Sequence, residues 1–258
     1  MSLVSFTTEG PVGIVTLDRP EALNAISRTL ADELANVVRS VAADNDVWVL
    51  VLRAAGEKAY CVGADLKERA GFSLEDFHAN RAQIRGMFAA LRTVPQPTIA
   101  AVFGFALGGG FELALSCDLI VAAEGTMLGL PETRVGLIPA GGGTQLLTRK
   151  VGTTRAKDMI FTGKQIDADR ALELGLVTEV AARGDLDGRA MELAAELCKS
   201  SPIALREAKR AIDAALGASL DEGMDIEHDA WSVVIESRDR AEGIAAFVEK
   251  RSTEWKNR

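Results

Sequence analysis

Apolar and polar positions change period along this chain, and the changes divide it into elements. Two short alternating runs, Ser5 to Thr8 and Val12 to Leu17, flank Glu9-Gly10-Pro11 and predict a β-hairpin. After the loop from Asp18 to Ala25, Ser27 stands as N-cap to a helical pattern that aligns Leu30, Leu34, Val37, Val38 and Val41 on one face. Val47 to Leu52 is a continuous apolar run, as expected of a buried strand. Ser73-Leu74-Glu75-Asp76 has the form of a capping box for a helix running to about Arg92. Thr98 to Val102 is another buried strand, and three glycines then open a helix. Asp118 to Ala123 and Met127 to Leu130 read as short strands, and Gly141-Gly142-Gly143-Thr144-Gln145 starts a further helix. After Val180 helical patterns dominate, the longest at Ala190 to Lys199, Pro202 to Leu216 and Leu220 to Glu236. This order predicts an α/β core with a helical C-terminal appendage, and a strand-strand-helix rhythm can be traced up to about Val180.

The stretch richest in candidate chemistry is Phe103 to Leu115. Gly108, Gly109 and Gly110 place open backbone at a helix N-terminus, where unpaired N–H groups and the dipole favour negative charge. Glu112 follows among Phe111, Leu113, Ala114 and Leu115, a setting in which a carboxylate is desolvated. The plainer alternative is a tight strand-to-helix turn with Glu112 in solvent. Leu130-Pro131-Glu132-Thr133 puts a second carboxylate just beyond a rigid turn, and taken alone Glu132 reads as an exposed turn residue.

Composition narrows the function classes. With 258 residues, 48% of them hydrophobic and 26% charged, the chain can bury a large core. A net charge of -8 argues against a nucleic-acid partner. The run from Thr98 to Phe111 is broken by glycines and ends at Glu112, so no membrane span is expected. Cys61, Cys117 and Cys198 lack metal-ligand spacing and read as thiols in a reducing compartment. Met1 to Phe6 lack the basic and apolar regions of a secretory signal, and a cytoplasmic location is expected. His78 and His228 lie in no motif, which weakens any His-dependent triad, and no metal site is expected. The dinucleotide fingerprint fails at Leu113 and at Leu146, where its last glycine would stand. The phosphate-loop pattern fails upstream of Gly163-Lys164, at Asp158, and no Gly-x-Ser-x-Gly elbow occurs.

The chain resembles the enoyl-CoA hydratase/isomerase (crotonase) family in Leu23-Asn24-Ala25, Cys61 to Lys67, Ala106 to Ala114, Pro131-Glu132, Gly136 to Pro139, Gly141 to Gln145 and Phe247 to Arg251. The resemblance implies an α/β spiral of strand-strand-helix units over residues 1–195, carrying a site for a coenzyme A thioester. It implies a helical oligomerisation region over residues 196–258, making homotrimers or homohexamers built as dimers of trimers. It also implies backbone N–H groups at Ala64 and Gly109 as an oxyanion hole for the thioester oxygen, with Glu112 and Glu132 acting on water. An acyl-CoA substrate, with no covalently bound cofactor, is expected to meet Leu23, Ala25, Ala64, Asp65, Leu66, Lys67 and Gly109. Phe247 and Lys250 match a segment that reaches the adenine or phosphate end, often of a neighbouring subunit.

The implied activity is reversible syn addition of water to a trans-2-enoyl-CoA. Alternatives are 3,2-enoyl-CoA isomerisation, hydration of methylglutaconyl-CoA, suggested by likeness to that branch over Gly63 to Ala70, and a CoA-thioester-binding subunit without turnover. RNA binding, known in some members of that branch, is not carried over, because no basic run supports it. The acyl preference is expected to be set around Phe72 to Met87.

Overall fold

A computed structural model describes residues 2–257. The N-terminal half alternates strands and helices: β1 (Val4–Glu9), β2 (Val12–Leu17), α1 (Arg28–Ala42), β3 (Val49–Ala54), β4 (Ala59–Cys61), α2 (Leu66–Arg69), α3 (Leu74–Thr93), β5 (Thr98–Val102), β6 (Phe105–Leu107) and α4 (Gly109–Leu115). The order continues with β7 (Leu119–Ala123), β8 (Met127–Gly129), α5 (Gly143–Val151), α6 (Thr153–Thr162), β9 (Gln165–Asp167), α7 (Ala168–Glu173) and β10 (Glu179–Ala181). Four helices complete it: α8 (Leu186–Leu197), α9 (Pro202–Ala214), α10 (Leu220–Ile235) and α11 (Arg238–Glu249).

The strand-strand-helix rhythm is realised as two sheets built in step. The larger has the order β1-β2-β3-β5-β7-β10 and the smaller β4-β6-β8-β9. Each turn of the chain adds one long strand to the first sheet and one three-residue strand to the second: β3 then β4, β5 then β6, β7 then β8. Within the first sheet β2, β3, β5, β7 and β10 are parallel, and only the β1–β2 hairpin is antiparallel. Parallel strands covered on both faces need continuous apolar runs, and β5 and β7 supply them, with Ile99, Val102, Ile120 and Val121 no more than 1% exposed.

The helix caps form where their residue types predict. Ser27 Oγ accepts the Leu30 N–H at 3.2 Å. In the Ser73 box, Ser73 Oγ accepts from Asp76 N at 3.1 Å and Asp76 Oδ2 accepts from Ser73 N at 3.0 Å, so an aspartate closes the box and α3 runs on to Thr93. Several boundaries differ from expectation. The expected strand at Val47 to Leu52 lies two residues later, because Arg53 and Ala54 pair with Thr16 and Leu17 of β2. Helix α8 begins at Leu186 rather than Ala190, and its buried face, Leu186, Ala190 and Ala194, packs across β3, β5 and β7. The division expected after residue 195 therefore falls in the last turn of a helix that covers the sheet. Helix α9 is tied back to the core by Lys209, whose Nζ meets Asp118 Oδ2 at 2.8 Å and donates to Gln96 O at 3.0 Å.

Among the described residues, no helix is long and apolar enough to cross a membrane. The C-terminal helices keep large apolar side chains in solvent, with Leu220 80%, Trp231 57% and Phe247 85% exposed.

Candidate active site

The site is assembled from three glycine-dependent turns. Gly108, at φ 54° and ψ -127°, is the N-cap of α4, a backbone conformation that side chains disfavour. A Cβ on Gly110 would stand 1.9 Å from Cys61 O, so α4 rests directly on the backbone of β4. At Gly63, with φ +89°, a Cβ would stand 2.9 Å from Gly109 N. These contacts bring the Ala64 and Gly109 amides together, and a Cβ on Gly109 would lie 3.8 Å from Ala64 N. Among the described residues, neither of these two N–H groups finds an acceptor, because Ile26 pairs instead with Gly63 O and Asp65 N. Two adjacent unused donors, one at a helix N-terminus, form a pocket for an oxygen that gains negative charge.

Both carboxylates expected from the sequence face the same cavity of about 410 Å³, walled by Ile26, Ala64, Phe88, Gly109, Leu137 and Ile138. Glu112 is 3% exposed. Its Oε1 accepts from the N–H groups of Gly141 and Gly143, each at 2.7 Å, while Oε2 makes no hydrogen bond among the described residues. Burial pushes its pKa up, and the amides of Gly143, Gly141 and Gly142 partly offset that. The loop leaves no room for a side chain: a Cβ on Gly141 would stand 2.3 Å from Phe88 Cε2 and 2.7 Å from Glu112 Oε2. Arg92 Nη1 holds the same loop through Gly141 O at 3.1 Å.

Glu132 opens a 3-10 turn, Glu132–Val135, that ends at Gly136 in the left-handed conformation. Its Oε2 is buried with no hydrogen-bond partner among the described residues. Desolvation, with the Glu112 charge as a lesser cause, raises its pKa from 4.5 to about 7. The exposed-turn alternative for Glu132 is therefore set aside.

The unpaired carboxyl group carries a stability consequence. Its pKa is raised in the folded state, so the fold holds a proton that the unfolded chain releases. Stability on this account falls as pH rises from about 4.5 to about 7 and stays lowered above that. Glu132→Gln removes the penalty. The variant is expected to gain about 1–2 kcal/mol over the parent at pH 8, once partial solvent access is allowed for, and little at pH 4.5. Thermal melts of both proteins at the two pH values check this; an equal gain at both would contradict it.

The other expected residues divide into groups. Leu66 lines the main cavity. Leu23, at φ 52°, lines a second, shallower cavity of about 300 Å³ with Pro20, Gly56 and Lys58. Its left-handed backbone is held by Asn24, fully buried, whose Nδ2 donates to Ala55 O and Ala59 O and whose Oδ1 accepts from Arg19 N. Ala25 is buried beneath that loop, its carbonyl accepting from Arg19 Nη1 at 3.1 Å. The Asp65 carboxylate is engaged within the protein: Oδ2 meets Arg19 Nη1 at 2.7 Å and Oδ1 caps α2 through the amides of Lys67 and Glu68. Lys67, Phe247 and Lys250 are not among the residues lining the main cavity of this single chain.

The Phe72 to Met87 segment, expected to shape the acyl pocket, contributes Phe77, Asn80, Arg81 and Ile84 to the wall. Sequence reasoning did not single out Phe88 or Arg69, which also line it, nor the Gly141 and Gly143 amides as partners of Glu112. For that last pairing the only signal was a second glycine run at a helix start.

A family model for enoyl-CoA hydratase/isomerase matches residues 7–258. A short-chain-enoyl-CoA hydratase of Clostridium acetobutylicum is 38% identical over 253 residues, covering 97% of this chain and 96% of the relative. The mouse enoyl-CoA hydratase domain-containing protein 2, mitochondrial, is 41% identical over 245 residues, covering 93% of this chain and 83% of the relative. A crystal structure of an enoyl-CoA hydratase from Bacillus anthracis superposes with a TM-score of 0.97 at 41% identity, over 99% of this chain and all of the other. A match along nearly the whole sequence makes the chain a member of the enoyl-CoA hydratase/isomerase family.

Proposed function

We propose that this chain is an enoyl-CoA hydratase, a hydro-lyase that adds water across the double bond of a trans-2-enoyl-CoA to give a 3-hydroxyacyl-CoA. The observation that carries the reading is the convergence of two desolvated carboxyl groups and two unused amides on one cavity. The thioester oxygen sits between the Ala64 and Gly109 N–H groups. When oxygen adds at C3, negative charge moves onto that oxygen as an enolate, so these donors stabilise the transition state more than the substrate. Glu112, held by two amides with Oε2 free, takes the proton of the attacking water. Glu132, whose pKa of about 7 leaves a large protonated fraction near neutral pH, gives its proton to C2. The sum is one water added, and the two carboxyl groups regain their starting states by proton exchange with solvent.

An isomerase needs one carboxylate to carry a proton between carbons, and a binding subunit needs none. Retention of both in this environment favours hydration. The test is loss of the conjugated enoyl-thioester absorbance of crotonyl-CoA with formation of 3-hydroxybutyryl-CoA. Tight binding of crotonyl-CoA without turnover would overturn the reading.

The coenzyme A portion is carried as part of the substrate, with no covalently bound cofactor. It runs past Leu66 toward Leu23, Ala25, Asp65 and Lys67, with Phe247 and Lys250 supplied by a neighbouring copy. The apolar side chains left in solvent on α9 to α11 support assembly into a homotrimer or a dimer of trimers. Light scattering after gel filtration is expected to give three or six times the 27.4 kDa chain mass; a monomer would contradict the assembly. A cytoplasmic site of action accords with three free thiols.

A further inference from the structure

Helix α3 ends beside the glycine loop that holds Glu112. Its last turn carries Arg92, a place where a cation can bond the final carbonyls of its own helix. Arg92 reaches past them. Its one hydrogen bond among the described residues runs from Nη1 to Gly141 O at 3.1 Å, and it makes no ion pair there. The guanidinium lies over the loop, since a Cβ on Gly142, a residue with φ +134°, would stand 3.6 Å from Arg92 Nη1.

The carbonyl that Arg92 holds belongs to the peptide joining Gly141 to Gly142, and the same loop turns its N–H groups the other way. Gly141 N and Gly143 N donate to Glu112 Oε1 at 2.7 Å, and the Gly142 amide also favours the ionised carboxyl group. Arg92 and Glu112 therefore grip one loop from opposite sides. A cation at the carbonyl polarises that peptide and makes its N–H a stronger donor toward the carboxylate. The two charges also act on each other, since Glu112 favours the charged form of Arg92. The other ionisable groups around the pair take different parts. Arg81 on α3 favours ionised Glu112, Glu132 faces it across the cavity, and Arg85 on α3 acts on Arg92. Strand β4, on which α4 rests, contributes Tyr60 and Cys61. Burial pushes Cys61 up to about 12 and Tyr60 well above its usual value, so both stay neutral while Glu112 titrates. Arg149 and Lys150 stand in the last turn of α5, at the end away from the loop.

We propose that Arg92 is a positioning residue for hydration: bonded to Gly141 O, it fixes the glycine loop from behind and, through that loop, holds Glu112 as a carboxylate aimed at the attacking water. The proposal rests on the hydratase reading for the role of Glu112, but its physical content is the titration of one carboxyl group. Protein isotopically labelled at the glutamate carboxyl carbons is titrated by NMR, and the resonance lost in Glu112→Gln identifies the group.

In Arg92→Met the Glu112 midpoint is expected to rise by about one pH unit. Arg92→Lys keeps a charge and a donor for Gly141 O, and its midpoint is expected to rise clearly less. The acid limb of kcat/KM for crotonyl-CoA should move up with the midpoint in each variant. Butyryl-CoA, a saturated thioester that cannot be hydrated, should bind all three proteins alike by calorimetry. Arg92 is half-buried with one hydrogen bond to lose, so the fold should survive; a thermal melt verifies it, and Arg92→Gln replaces the methionine variant if that one unfolds. An unmoved midpoint in Arg92→Met would overturn the proposal. So would an equal rise in Arg92→Lys, which would remove the charge from the account, or a rise accompanied by loss of butyryl-CoA binding, which would assign Arg92 to the shape of the cavity. Crotonyl-CoA left unconsumed by the parent would instead count against the hydratase reading, and the carboxyl titration would still decide the effect of Arg92 on Glu112.

Discussion

Glu112→Gln and Glu132→Gln are each expected to lower kcat for hydration of crotonyl-CoA by on the order of 10²–10⁴, with KM little changed. Glutamine is the informative replacement at both positions. At Glu112 its carbonyl oxygen can still accept the Gly141 and Gly143 amides, so the loop over the site keeps its anchor while proton transfer is removed. At Glu132 it removes a desolvated carboxyl group without changing volume. The two losses should not add, because both groups act on the same water in one step. The pH dependence follows from their assigned roles. Hydration needs Glu132 protonated, so kcat/KM should fall as pH rises through about 7. Glu112 must be ionised, so the acid limb should lie above the ordinary carboxylate value of 4.5. Either variant retaining the parent rate would end the two-carboxylate mechanism.

Gly63→Ala is expected to cost on the order of 10²–10³ in kcat without touching either carboxylate. The added methyl would stand 2.9 Å from Gly109 N and 3.0 Å from Leu107 O, at a residue whose φ is +89°. Those neighbours are backbone atoms, so relief comes only by moving the start of α4, and with it one of the two donors to the thioester oxygen. A donor displaced by a few tenths of an ångström fits the developing charge less well than it fits the resting carbonyl, and the loss therefore appears in kcat. Gly71→Ala, where a Cβ would meet nothing within 4 Å, is the control and should leave kinetics unchanged. Steady-state kinetics with thermal melts on both variants separate displacement from unfolding. A parent-like kcat in Gly63→Ala would remove the Gly109 amide from the mechanism.

Much of the core and two of the four expected catalytic positions were readable from residue order for local reasons. Helix α1 announced itself by period and by Ser27, and α3 by Ser73 and Asp76, because capping needs only neighbours three residues apart. Glu112 could be placed near a helix N-terminus among apolar residues by the same local logic. Glu132 could not. From the chain alone it is a turn residue, and its raised pKa arises from being desolvated in a cavity whose other walls come from α3, α4 and the loop before α5. The three-residue strands β4, β6 and β9 escaped for a related reason. They are too short to show a period, and each exists because its neighbours in the smaller sheet offer hydrogen bonds.

What the amino-acid order determined was therefore everything that depends on contacts within a few residues. It set the alternation of strands and helices, the capped helix starts and the glycine turns, and it carried a family resemblance whose motifs run in register along most of the chain. Tertiary structure decided which distant groups meet, and so the electrostatics of the site. It brought Gly141 and Gly143 to Glu112, left the Ala64 and Gly109 amides unused among the described residues and engaged Asp65 with Arg19. Local preferences act through backbone conformation and neighbouring side chains. Desolvation and charge pairing depend on what the folded chain places around a group, and these set what the two carboxyl groups can do.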